Sequence, residues 1–339
     1  MGVLGLIFRN IRLILAVMLG LLSYLKIRIV NFSNSVQSRL GHFSFNSFQG
    51  NGIFSPFRSK VAISLNFAIC YLRDWGPNRT GFRGALQIVG RGDGMTALVL
   101  GTGPSIGRLN WEAIAQDRSA GKLIVFGTNY LILQSKIPIS EFDFLVLSDE
   151  GTFPEFDSIR TRDLWNKLRE NPQIVVISPS SWHESNSDFL CRDYNACLHF
   201  NDNSLEWISK NINPTHPRGY ASMTAYKAIA FAIHMRFEQV CISGIENTWY
   251  RGLRVTEGGR IFQDSIHVGD GYAEPIDMTD YYKNGVGDYF YDLALMFLSF
   301  KNAFGNQGNL LNLDNNSIID FIPKVGERSP FSKYIIAEI

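Results

Sequence analysis

A chain of 339 residues with 45% hydrophobic and 19% charged side chains can bury a large core, and its formal net charge of +1 comes without any long Lys/Arg block. That charge pattern excludes the basic face on which nucleic-acid binding rests. The four cysteines, Cys70, Cys191, Cys197 and Cys241, have neither metal-type spacing nor the pattern of a disulfide framework and read as reduced thiols.

The first element is apolar. Leu13 to Leu25 is almost unbroken hydrophobic, with Arg9 and Arg12 before it and Lys26 and Arg28 after it. This run is shorter than the roughly 20 residues of a full span. No Ala-x-Ala cleavage site follows it, and basic residues at both ends favour a helix lying on, or dipping into, an anionic cytoplasmic leaflet. Residues 1–30 are therefore expected as an anchor helix, with 3–28 holding the protein at the cytoplasmic face of the inner membrane. The competing reading is a helix packed on the protein itself. Residues 31–94 read as linker and lead-in: Asn, Ser, Gly and Phe interleave around 32–57, and Ser59 to Asp74 has helical spacing.

From Ala97 onward strands alternate with helices. Ala97 to Leu100 is a buried run that stops at Gly101-Thr102-Gly103-Pro104-Ser105. Glycines permit a tight turn and close approach of a ligand, and Pro104 and Ser105 suit the first turn of a helix. Such a turn is expected to point free N–H groups at an anion, most often a phosphate. A third glycine at 106 would complete a dinucleotide fingerprint, but Ile106 stands there and Gly107 comes one place late. Trp111 to Gln116 continues as helix. Further strands are expected at Lys122 to Phe126, Asp143 to Leu147, Ile174 to Ile177 and Gln239 to Ser243. Their polar ends are Thr128-Asn129, Ser148-Asp149-Glu150, Ser178 to His183 and Gly244 to Asn247. Tyr220 to Arg236 is a helix with Ala225, Ala228, Ile229, Ala232 and Ile233 on one face. The expected fold class is α/β: a doubly wound, mostly parallel Rossmann-like sheet over residues 95–325, with a lid region, the N-terminal membrane-associated helix and a tail at 326–339. Such sheets bind ligands outside the carboxyl ends of their strands.

The order Gly101-Thr102-Gly103-Pro104-Ser105, Thr128-Asn129, Ser148-Asp149, Arg218 through Ser222 and Ile242-Ser243-Gly244-Ile245 resembles the bacterial sialyltransferases of the Campylobacter type. It also resembles the wider Rossmann-like set that includes motility-accessory nonulosonate transferases and archaeal hydroxymethylpterin pyrophosphokinase-like proteins. Leu311 to Asp320 is similar to the closing segment of that set, and the resemblance covers roughly residues 97–325. It implies a CMP-linked sugar donor. Thr102 and Asn129 fall on asparagines of the family, Asp149 falls on or near a third, and Arg218 falls on the arginine before the long helix. Ala221 takes the place of the family's serine, with Ser222 one position on. Trp249 and Tyr250 correspond to tyrosines that stabilise the leaving phosphate. The family's histidine base falls on Asp270, and His267 is the only histidine nearby, so either can be the base.

The chemistry needs few parts. A nucleoside monophosphate leaves with help from positive donors and phenolic hydroxyls, and a base takes the acceptor proton. Arg218 suits a bidentate hold on a carboxylate or phosphate, and Tyr250 can donate to the leaving group. His267 and Asp270 lie in a Gly-flanked loop suited to a lid. The expected catalytic set is thus His267, Asp270, Arg218 and Tyr250. The expected substrate-binding set is Gly101, Thr102, Gly103, Pro104, Ser105, Asn129, Ser148, Asp149 and Ser222. No Asp-x-Asp stands at a strand end, which favours a site without metal or other cofactor.

These readings predict a glycosyltransferase moving a sialic-acid-like or related sugar from a CMP-activated donor to a surface glycan or lipid-linked acceptor. Its partners would be that donor, a glycan or glycolipid acceptor and the membrane surface, with no nucleic acid. Two alternatives stand beside it. One is a Mg²⁺/ATP-dependent pyrophosphokinase, with Asp149 and Glu150 on the metal; the other is a catalytically silent nucleotide-sugar-binding protein. A nicotinamide dehydrogenase is disfavoured by the late Gly107 and by the lack of an acidic residue closing the second strand.

Overall fold

In a computed structural model, Thr96–Leu100 (β1) is an interior strand, third from one edge, of a seven-stranded sheet. The structure describes residues 90–153, 157–179, 197–200, 212, 214, 223–264, 275–281 and 286–336. The chain divides into two units, Met1–Arg79 and Thr80–Ile339, and the described residues all belong to the second. The expected anchor helix and nearly all of the 31–94 lead-in therefore lie outside the described residues. Among the described residues, no helix is long and apolar enough to cross a membrane.

The remaining strands of the sheet are Leu123–Thr128 (β2), Phe144–Val146 (β3), Val175–Pro179 (β4), Cys197–Phe200 (β5), Gln239–Ser243 (β6) and, near the chain's end, Leu310–Asn312 (β10). Their order is β10-β6-β1-β2-β3-β4-β5, and every pairing is parallel. Four consecutive buried residues in β1 are what a strand covered on both faces requires. Ala97 and Val99 enter one apolar cluster while Leu98 and Leu100 enter the other, so the strand's alternation divides the core into two layers.

Helices fill both layers. Trp111–Ser119 (α1) and Ile159–Glu170 (α2) contribute Ile114, Leu164, Trp165 and Leu168 to the layer of Leu98. Asn110 caps α1 by accepting from the Ala113 N–H at 3.2 Å, and Ser158 caps α2 by accepting from the Thr161 N–H at 3.0 Å. Thr224–His234 (α3) packs Ala225, Ala228, Ile229 and Ala232 into the layer of Ala97 and Val99. Phe300 and Phe304 of the long helix Val286–Phe304 (α5) join the same layer. A small antiparallel sheet of Leu253–Val255 (β7), Ile261–Gln263 (β8) and Ile276–Asp277 (β9) follows β6 and leads into the short helix Met278–Tyr281 (α4).

The chain beyond residue 325 was expected as a tail, yet residues 326–336 are fastened to the body. Leu109 bridges Ile335, the Asn110 N–H donates to the Tyr334 carbonyl at 2.9 Å, and the buried Tyr334 hydroxyl donates to Asp117 at 2.7 Å.

Candidate active site

The strand order reverses between β1 and β6: β2 to β5 run off to one side of β1, and β6 and β10 to the other. Connections leaving two such neighbouring strands in opposite directions open a crevice at their carboxyl ends. Here that crevice is a cleft of about 150 Å3. Its walls are Gly101, Thr102 and Gly103 after β1, Thr128 and Asn129 after β2, Met223, Thr224 and Ala225 at the start of α3, and Gly244 to Thr248 after β6.

The β1 and β6 ends are interlocked turns. The Gly101 N–H donates to the Ser243 carbonyl and the Gly103 N–H to the Gly244 carbonyl, both at 2.9 Å. The Gly244 N–H donates to Ser105 Oγ at 2.8 Å. Gly244 has φ +71, and a Cβ there would stand 2.7 Å from Ile106, so both conformation and space demand glycine. Pro104–Arg108 is a short 3-10 turn with proline in its first positions, as the residue types predicted.

One expectation is corrected by this geometry. The Gly-x-Gly-Pro-Ser turn does not offer a set of free N–H groups to a phosphate, because they are spent inside the protein. Ser105, the donor best placed for an anion, gives its N–H to Glu246 Oε1 at 2.5 Å. Glu246 is only 7% exposed, and its second oxygen lies over Gly103, where a Cβ would come within 1.6 Å of it. The anion at the turn is the protein's own carboxylate.

The neighbouring strand tips are tied together in the same way. Asn129, at φ +45, donates through Nδ2 to Thr224 Oγ1 at 2.9 Å and accepts the Ser148 N–H on Oδ1 at 3.3 Å. Ser148 Oγ and Thr224 Oγ1 share a hydrogen bond of 2.6 Å. One amide thus joins the ends of β2 and β3 to the first turn of α3. The N-cap of α3 is Met223, whose side chain makes no capping hydrogen bond, and this helix start brings a positive dipole end to the cleft wall.

Of the residues expected to bind substrate, Gly101, Thr102, Gly103 and Asn129 line the cleft. Pro104 and Ser105 shape the turn, and Ser148 braces Thr224. Asp149 turns its carboxylate to the Gly151 N–H at 3.0 Å and so caps the 3-10 turn Glu150–Thr152. Tyr250 is 39% exposed and lines a second, apolar groove of about 420 Å3 beside Phe290, Leu293, Phe297 and Ile318; Asn247 borders both hollows. Tyr289 is buried, and burial pushes its hydroxyl up to about 12. Arg218, Ser222, His267 and Asp270 lie outside the described residues. Among the described residues, no three His, Cys, Asp or Glu side chains gather so as to hold a metal ion.

Thr224 and Thr248 are cleft residues outside the expected set, and Glu246 was read only as part of the polar strand end Gly244 to Asn247. Glu246 carried a usable signal, an acid directly after the Ser-Gly-Ile strand end. Among the described lining residues it is the one charged side chain.

No family model matches the chain, and no curated protein matches it either. Among solved structures it is similar to a MAf glycosyltransferase from Magnetospirillum magneticum AMB-1, at 10% identity and a TM-score of 0.40. The match covers 80% of this chain and 42% of that one. A likeness of this size carries no assignment of activity.

Proposed function

We propose that the protein is a glycosyltransferase that takes a sialic-acid-like or related sugar from a CMP-activated donor and places it on a surface glycan or lipid-linked acceptor, without a metal ion. The observation that supports it best is convergence. Gly101 to Gly103, Asn129 and the end of the Ser-Gly-Ile strand lie far apart in the chain, carry the resemblance to sialyltransferases, and line one cleft at the reversal point of a parallel sheet. In this reading the donor's phosphate goes to the uncapped start of α3, since the β1 turn already holds Glu246. Arg218 and Ser222, which directly precede α3 in sequence, would close on the same phosphate. His267 or Asp270 would take the acceptor proton, and Tyr250 would donate to the departing CMP. Residues 3–28 would keep the enzyme at the cytoplasmic face of the inner membrane, near a lipid-linked acceptor.

Calorimetric titration of the full chain with CMP in the presence of EDTA tests the reading. Binding at micromolar concentrations that is unchanged by added magnesium is expected, and Arg218→Ala is expected to weaken it at least tenfold while the melting temperature holds. Binding of ATP only with magnesium would favour the pyrophosphokinase and overturn the transferase.

A further inference from the structure

Glu246 is a carboxylate in an unusual position. It is more than nine-tenths buried, and the described residues set no cationic side chain against it. A charge removed from water is normally paired, because an unpaired one costs several kcal/mol. Here half of the group is satisfied: Oε1 takes the Ser105 N–H. Oε2 makes no hydrogen bond among the described residues, yet it borders the cleft above Gly103 instead of being sealed off. Its position is fixed from below, since Gly103 has no Cβ to displace it and the Gly103 N–H is tied to Gly244. The result is an acceptor held over Gly103, facing a space whose other walls are threonines, asparagines and glycines together with Met223, Ala225 and Ile245.

A fixed carboxylate oxygen repels phosphate and calls for a donor. We infer that Glu246 is the residue that reads the ribose of the bound nucleotide, accepting hydrogen bonds from its 2′- and 3′-hydroxyls, and that it makes the site selective for ribonucleotides. The inference rests on the nucleotide-sugar reading above for the existence of a nucleotide, but not on which base or sugar that nucleotide carries. It also sets the direction of the ligand: the hydroxyl-bearing ribose lies at the β1–β6 side, and the phosphate at the α3 side, away from the carboxylate. A hydrogen bond to a charged group is worth about 10- to 100-fold in affinity. A site built around such a bond rejects an analogue that lacks the hydroxyl.

The test is calorimetric titration of the full chain with CMP and with 2′,3′-dideoxy-CMP, for the wild type and for Glu246→Gln. The wild type is expected to prefer CMP by about 10- to 100-fold. Glu246→Gln keeps an oxygen for the Ser105 N–H but offers a neutral amide to the cleft. It is expected to shrink the preference below about threefold by weakening CMP, with the dideoxy analogue left nearly unchanged. A wild type that binds both equally overturns the assignment without any variant, and so does a Glu246→Gln protein that keeps the full preference. If magnesium proves necessary for CMP binding and Glu246→Gln removes the metal, Glu246 is a metal ligand and the ribose assignment fails. UMP, AMP and GMP with their dideoxy forms separate this inference from the proposed function. A Glu246-dependent preference seen only with another base keeps the ribose assignment and removes the CMP donor. CMP binding without discrimination does the reverse. If no nucleotide binds, both fall.

Discussion

Asn129 shows how a residue chosen as a ligand contact can be a structural tie as well. Its amide links the ends of β2 and β3 with α3, and its backbone sits at φ +45. The two roles separate by substitution. Asn129→Gly accepts the left-handed backbone but loses both side-chain hydrogen bonds, and is expected to cost about 1–2 kcal/mol in urea denaturation. Asn129→Ala adds backbone strain and should be less stable still, by about 1 kcal/mol. Equal stability of all three proteins would show that the amide bonds carry nothing. The sequence singled out this asparagine for substrate binding, and it lines the cleft, but a one-dimensional reading cannot show that its amide is already occupied. Glu246 is the opposite case: an ordinary acid after a strand in the sequence, and the most distinctive group in the cleft once Ser105 is brought to it from 141 positions away.

The legibility of each element followed its local chemistry. β6 was expected at Gln239 to Ser243 and runs over those residues, because a short apolar strand ending in a glycine is a local signal. Of the helix expected from Tyr220 to Arg236, α3 forms Thr224–His234; its apolar face repeats with helical period. The strands of the small antiparallel sheet are two or three residues long, too short for any period to register, and β5 has four. α5 went unread because apolar residues surround it, with Phe290 and Leu298 exposed while Phe300 and Phe304 are buried. The alanines of α3 let it lie close on the sheet. Ala228→Leu, at a fully buried position, is expected to lower stability by about 1–3 kcal/mol through overpacking, read from the urea midpoint; no change would mean that the layer has room. The segment after β10 gives a further test. Burial raises the Asp117 carboxyl, but hydrogen bonds from Lys333 and Tyr334 outweigh that and hold it below the ordinary value of 3.8. A carboxylate with a lowered folded pKa stabilises the fold above its unfolded pKa, and that contribution is lost as pH falls through the folded value. The wild-type melting temperature should therefore drop more steeply than that of Asp117→Asn as pH goes from about 5 to about 3. Parallel curves would show that the contact is silent. Tyr334→Phe removes a buried donor to the same carboxylate and should cost about 1–2 kcal/mol at neutral pH, measured by urea denaturation.

At the scale of the molecule, β1 is the hinge of the architecture. On one side it pairs Thr96 with Leu123, and on the other Thr96 with Gln239. The first partner closes a short loop and the second a loop about five times longer, at an extra entropic cost of about 1–2 kcal/mol. Sheets with such distant pairings fold slowly, and near neighbours have the kinetic advantage. Pulse-labelling hydrogen exchange during refolding is expected to protect the amides of Leu123–Thr128 before those of Gln239–Ser243; simultaneous or reversed protection would refute this order. The crevice lies between the early half of the sheet and the late one. A newly made chain thus acquires β1 to β5 and, among the described helices, α1 to α3 before it has anything to bind with. A slow-folding variant would then accumulate as a collapsed, ligand-blind intermediate whose unpaired β1 edge invites aggregation, and a ligand added in time would rescue only molecules in which β6 had already docked.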